Sequence, residues 1–217
     1  MTAKHKGGLV VILGLGFIVT LPLLLLSTPD EKQRLTQSTA TMRILEHHVG
    51  LLDVTPDERK ELKTLLNKKV KPLSNQPERD AWVAQVSPKI MQYEKNEHNA
   101  KAIARWVWVY AQRHELDPNL ILALITIESQ FDPFAVSSVG AQGLMQIMPF
   151  WKKELGNESD NLFDVATNIR YGCAILKHYF KRYKTAEKAL AAYNGSKGRS
   201  KYPNKIFAVL PQFQRIN

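Results

Sequence analysis

The run Leu120-Ile121-Leu122-Ala123-Leu124-Ile125-Thr126-Ile127 leaves this chain few choices. Eight residues with one hydroxyl among them present no polar face, so the pattern predicts a helix buried on nearly all sides. Asp117-Pro118 opens it, because Asp suits the N-cap and Pro is tolerated at the first helical position. Pro133 drives Asp132 out of helical geometry, so the helix stops near Gln130. The rest of the chain has to supply the elements that cover it.

Glu128 sits at the end of that helix. Ile121, Leu124 and Ile125 lie seven, four and three residues before it, so the carboxylate continues an apolar face. Desolvation there raises its pKa, and the negative end of the helix dipole acts in the same direction. A carboxylic acid still protonated near neutral pH is what general acid catalysis requires. The alternative is a glutamate turned outward or paired with a Lys or Arg. Residues 137–143, Ser-Ser-Val-Gly-Ala-Gln-Gly, form a small-residue loop able to pass close to a ligand. Gly143-Leu144-Met145-Gln146-Ile147-Met148-Pro149 follows, one amide among soft apolar side chains. Met148 reads as core; Met145 and Gln146 read as groove-lining.

Glu128-Ser129, then GLMQIMP at 143–149, then Ala191-Ala192-Tyr193-Asn194 resemble, in order and spacing, three signatures of the soluble-lytic-transglycosylase catalytic domain. The segment Asn161-Leu162-Phe163-Asp164, with Asn168-Ile169 and Gly172, resembles that family's inter-helix region. The resemblance covers roughly 100–213. It implies an all-α, goose-type-lysozyme-like fold acting on peptidoglycan glycan strands without cofactor or metal. It also implies a single-glutamate route. Glu128 protonates the bond between N-acetylmuramic acid and N-acetylglucosamine, then takes the proton from the muramoyl C6 hydroxyl, which closes on C1 as a 1,6-anhydro product. Intramolecular attack has a high effective molarity, which makes a second carboxylate dispensable. Carried over residue by residue, Tyr193 is expected to hydrogen-bond near Glu128 or the sugar, and Ser129 to orient the site. Met145 and Gln146 line the groove, and Asn194 holds the loop after the last catalytic helix. The chain departs from the family at Phe150-Trp151-Lys152, where two aromatics are expected to alter the width or length of the groove. A hydrolysing lysozyme-type muramidase and a non-catalytic wall-binding factor of a secretion apparatus are the alternative functions.

The remaining chain divides into parts. Residues 7–29 carry no charge, and about 20 mostly apolar residues from Gly7 to Leu26 suffice to cross a bilayer. Lys4 and Lys6 before the run place the N-terminus in the cytoplasm and the rest beyond the inner membrane, on the periplasmic side. A cleaved signal peptide is the rival reading, but Ser27 after Leu23–Leu26 offers no small-residue cleavage site, so residues 1–29 are expected to stay attached as an anchor. Residues 30–97 read as a helical stalk or small module that could dock a protein partner. Its features are a capping box at Thr55-Pro56-Asp57-Glu58 and a second helix interrupted at Ser87-Pro88. His47-His48 reads as solvated surface rather than a metal site. Residues 98–217 form the catalytic part, with Ile103, Trp106, Val107 and Tyr110 at helical spacing and further helices near 166–182 and 185–193. Of the formal +10, residues 100–217 hold 16 basic against 9 acidic side chains, a net +7. A basic surface favours polyanions, but no nucleic-acid-binding motif accompanies it. The single cysteine, Cys173, excludes an intrachain disulfide and a thiolate zinc cluster, and its apolar neighbours suggest helix packing.

Overall fold

The structure, a computed structural model, describes residues 54–67 and 76–214. The anchor expected at 7–26 and the His47-His48 pair lie outside the described residues. Among the described residues no helix is long and apolar enough to cross a membrane. Their architecture is all-α: eight helices and one 3-10 turn, with β-structure limited to two isolated bridges.

Helix α1, Pro56–Asn67, starts on the expected capping box. Thr55 N–H donates to Glu58 Oε2 at 2.8 Å, and Glu58 N–H donates to Thr55 Oγ1 at 3.2 Å. Helix α2, Pro77–Ile90, runs straight through Ser87-Pro88, correcting the expected interruption. The proline falls in the last turn, where its missing N–H removes one bond only. Helix α3, Glu97–His114, buries Ile103, Val107 and Tyr110, and ends where Glu115 turns left-handed. Helix α4, Pro118–Ser129, is the apolar run, opened by Asp117 Oδ1 accepting from Asn119 N–H at 2.8 Å. Every side chain from Leu120 to Thr126 is buried. Helices α5 (Phe150–Leu155), α6 (Val165–Arg182), α7 (Ala186–Tyr193) and α8 (Lys201–Val209) follow, and the 3-10 turn Leu210–Gln212 closes the chain.

Helix α6 packs on α1, α3 and α7, while α4 packs on α3, α8 and the 3-10 turn. Leu62, Leu66, Val83, Val86 and Ile90 come from the stretch read as a stalk or small module. They lie buried in the same apolar cluster as Ile103, Ile121 and Leu124. Trp82 links α2 to α4 through Nε1, which donates to Asn119 Oδ1 at 3.0 Å. Cys173 is wholly buried in α6, and burial pushes its thiol well above the ordinary range, in keeping with a packing role.

Candidate active site

Helix α4 delivers Glu128 to the surface of the core, and the chain then reverses sharply. Gln130 and Phe131 both take left-handed conformations, at φ 52° and 65°. Phe131 is held there by burial against Tyr93 and Phe213. Asp132 turns the loop as the sequence suggests, its Oδ1 accepting from Phe134 N–H at 2.8 Å. The loop then folds back over α4. Gln142 and Ile147 exchange backbone bonds of 3.0 and 2.9 Å, and Ser129 Oγ donates to Leu144 C=O at 2.8 Å.

Asn168, on α6, is the hub beneath this loop and is 1% exposed. Its Nδ2 donates to Gln142 C=O at 2.8 Å and Leu162 C=O at 2.7 Å, and its Oδ1 accepts from Met145 N–H at 2.7 Å. Two glycines make room. A Cβ on Gly172 would sit 2.2 Å from Met145 Sδ, and one on Gly143 would sit 2.5 Å from Asn168 Nδ2 at a φ of 71°.

Above that floor lies a cleft of about 550 Å³. Glu128, Gln146, Tyr193 and Asn194 line it together. Ser129 and Met145 do not line it: Ser129 ties the helix end to the loop, and Met145 is fully buried under the floor against Gly172. The groove-lining expected of the Met145 side chain falls instead to Gln146, whose Nε2 donates to Gly143 C=O at 2.9 Å and Ala135 C=O at 3.2 Å. Phe150 and Trp151, expected to reshape the groove, do not line it either; Trp151 is buried beside the Phe150 ring.

Among the described residues, Glu128 is the one acidic side chain lining the cleft. Burial raises its pKa to about 7, and a hydrogen bond from Tyr202 opposes that rise. The Tyr202 hydroxyl donates to Glu128 Oε1 at 2.5 Å. Tyr202 lies in the first turn of α8. Its partner lies 74 residues away, and the one local signal is its share, with Ile206, in the buried face of α8. Tyr193, by contrast, donates to Met145 C=O at 2.8 Å. Burial, aided by the nearby Glu128 charge, lifts both phenols well above their ordinary range, so both are permanent donors at neutral pH.

Residues 106–208 match the family described as Transglycosylase SLT domain. This chain carries an SLT transglycosylase domain. The SLT domain begins within α3 and ends within α8, so it contains the cleft and its floor. A protein named transglycosylase from Enterobacteria phage PRD1 is 37% identical over 101 residues, 43% of this chain and 37% of the phage protein. Membrane-bound lytic murein transglycosylase F of Desulfosudis oleivorans is 40% identical over 91 residues, 39% of this chain and 20% of that protein. Membrane-bound lytic murein transglycosylase C of Haemophilus influenzae is 39% identical over 75 residues, 30% of this chain and 21% of that protein. The chain thus spans about a third or less of the curated relatives it matches, and the likeness concerns the SLT domain.

Proposed function

We propose that this protein is a membrane-anchored lytic transglycosylase that cleaves peptidoglycan between N-acetylmuramic acid and N-acetylglucosamine and leaves 1,6-anhydromuramoyl ends. The observation that carries this reading is Glu128, in a cleft with no second carboxylate along its lining among the described residues. Hydrolysis of a glycoside ordinarily needs two carboxyl groups about 5–9.5 Å apart, one for the leaving oxygen and one for the nucleophile or water. A pKa of about 7 suits one group to both halves of a different route. Protonated Glu128 gives its proton to the glycosidic oxygen as the C1–O bond breaks and the N-acetylglucosamine departs. The resulting carboxylate takes the proton of the muramoyl C6 hydroxyl while O6 bonds to C1. Glu128 ends protonated, and no water is consumed. Tyr202 holds the carboxyl in place and stabilises the carboxylate between the two halves. Tyr193 fixes the Met145 carbonyl, and with it the loop that presents Gln146 to the sugar.

The product decides the reading. Digestion of purified wall glycan is expected to release non-reducing muramoyl ends lighter by one water, about 18 Da, than the hydrolysed product. Reducing ends as the main product would make the protein a muramidase instead, and no cleavage by folded protein would leave it a wall-binding factor.

Tyr202→Phe tests the pairing. The bond from Tyr202 favours the ionised form of Glu128, so its loss raises the Glu128 pKa above about 7. The acid step needs the proton, and activity falls as pH rises through that pKa. The basic limb of the pH–rate profile is therefore expected to move to higher pH, with the plateau lowered about tenfold through lost positioning. An unmoved limb would disconnect Tyr202 from Glu128 ionisation.

The apolar run at 7–26 supports attachment to the inner membrane with the SLT domain in the periplasm, as do the names of the membrane-bound relatives. Cell fractionation with intact-mass measurement is expected to find the full chain in the membrane fraction. A soluble form starting near residue 28 would refute the anchor.

A further inference from the structure

Glu128 shares its cleft with three cations. Arg199, Lys201 and Lys205 are the basic side chains of its lining, and all three are exposed at its rim. Lys201 and Lys205 stand four residues apart on α8, the helix whose Tyr202 reaches Glu128. Arg199 precedes them in a turn closed by its N–H to Ser196 C=O at 2.9 Å and by Ser196 N–H to Ala191 C=O at 2.8 Å.

Their place in the cleft distinguishes them from the other unpaired cations of the surface. Elsewhere several cations meet acids: Arg59 with Glu154 at 2.6 Å, Arg170 with Asp160 at 2.8 Å, Lys177 with Glu115 at 3.0 Å. None of the three rim cations is paired with a carboxylate among the described residues. Glu128 does not offset them either, because a group with a pKa of about 7 is largely uncharged on the acid side of neutrality. Three like charges on one wall of a cleft repel one another unless an anion enters.

We infer that this wall recognises the carboxylates of peptide stems, so that the cleft selects glycan strands that carry peptides over uncharged strands. The inference rests on the proposed peptidoglycan substrate. The sugars of such a strand are neutral, and their negative charge lies on the peptides hung from the muramoyl lactyl groups. A substrate whose reacting bond lies at Glu128 therefore brings its only anionic groups to the flanks of the cleft. The ion pairs so formed are solvent-exposed, each worth about 1.5- to 5-fold in affinity, and they weaken as salt screens them. Together they give a preference of about tenfold.

The test separates binding from turnover. In the full chain carrying Glu128→Gln, two tetrasaccharides are titrated, one with peptide stems and one whose muramoyl lactyl carboxyls, bared by enzymatic removal of the stems, are capped as neutral amides. Binding of the peptide-bearing ligand is expected to be about tenfold tighter at 0.05 M salt, with the margin closing at 0.5 M. Adding Arg199→Gln, Lys201→Gln and Lys205→Gln should abolish the preference. Neutralising Lys60, Lys63 and Lys188, exposed lysines outside the cleft, removes the same net charge and should leave the preference intact. Equal loss in both triple variants would reduce the effect to overall charge and overturn the inference, as would a preference that survives loss of the rim cations. Failure of the unsubstituted protein to cleave either strand would refute the proposed reaction without touching this binding result.

Discussion

Replacing Glu128 by Gln is expected to lower glycan cleavage by on the order of 10³–10⁴-fold or more, while making the folded protein more stable above neutral pH. General acid–base assistance contributes about 10²–10⁴ in rate, and under the proposed route one group supplies it to both bond breaking and ring closure. Gln keeps the shape of the side chain and can still accept the Tyr202 hydrogen bond, but it cannot give up a proton as an acid. The stability gain follows from the same burial that makes the group useful. Glu128 has a pKa of about 7 when folded against 4.5 in its ordinary state. A raised pKa means that the stability contributed by the neutral carboxyl is complete below pH 4.5 and is lost as pH rises towards 7. At pH 8 the ionised, largely buried Glu128 costs about 2–3 kcal/mol, a cost that the amide avoids. For a chain of this size that is a rise of roughly 4–12 °C in Tm. Thermal melts of the two proteins should converge near pH 4 and diverge at pH 8. Equal melts at pH 8 would show that Glu128 is solvated and not poised as an acid.

Asn168→Ala is expected to cost about 3–5 kcal/mol of stability and to cut cleavage sharply without any change along the cleft lining. Truncation leaves the Met145 N–H and the Leu162 carbonyl without their partner and takes one of two donors from the Gln142 carbonyl, which keeps the Ile147 N–H, in a place where the side chain was 1% exposed. Each buried polar group so abandoned costs about 1–3 kcal/mol. Asn168→Asp does no better, because it keeps an acceptor for Met145 but brings a carboxylate against two carbonyl oxygens. Activity falls because Met145 C=O is what holds Tyr193, and Gln146 follows directly in the chain. Chemical denaturation measures the first effect, and a specific-activity assay below the transition measures the second. A variant that melts and cleaves normally would show that the 143–149 loop holds itself.

The same loop shows where local reading succeeds. The buried helix at 118–129, its Asp117 cap, its stop before Pro133 and the capping box at Thr55 were all legible, because each depends on residues within one or two turns of each other. The elevated pKa of Glu128 was legible for a related reason: the apolar positions seven, four and three residues before it guarantee a dry neighbourhood whatever packs on top.

Side-chain direction in the loops was not legible. Met145 and Gln146 are neighbours of similar length, and their pattern suits either one to a groove. A positive φ of 50° at Gln146 and the absence of a Cβ at Gly172 send Met145 down into the core and Gln146 out to the cleft. Phe150 and Trp151 likewise looked like groove residues, but the core beside α5 had room for the indole.

What the sequence determined by itself, then, is an all-α chain built round one apolar helix with an acid at its end, since burial and capping are set by short-range pattern. Which phenol meets that acid was left to tertiary structure. Tyr193 carries the more suggestive motif, yet its hydroxyl goes to the Met145 carbonyl, and Tyr202 reaches Glu128 from a helix 74 residues further along the chain. No spacing rule connects those positions. They meet because α8 packs on both α4 and α7, and that docking is decided by the shape of the assembled core.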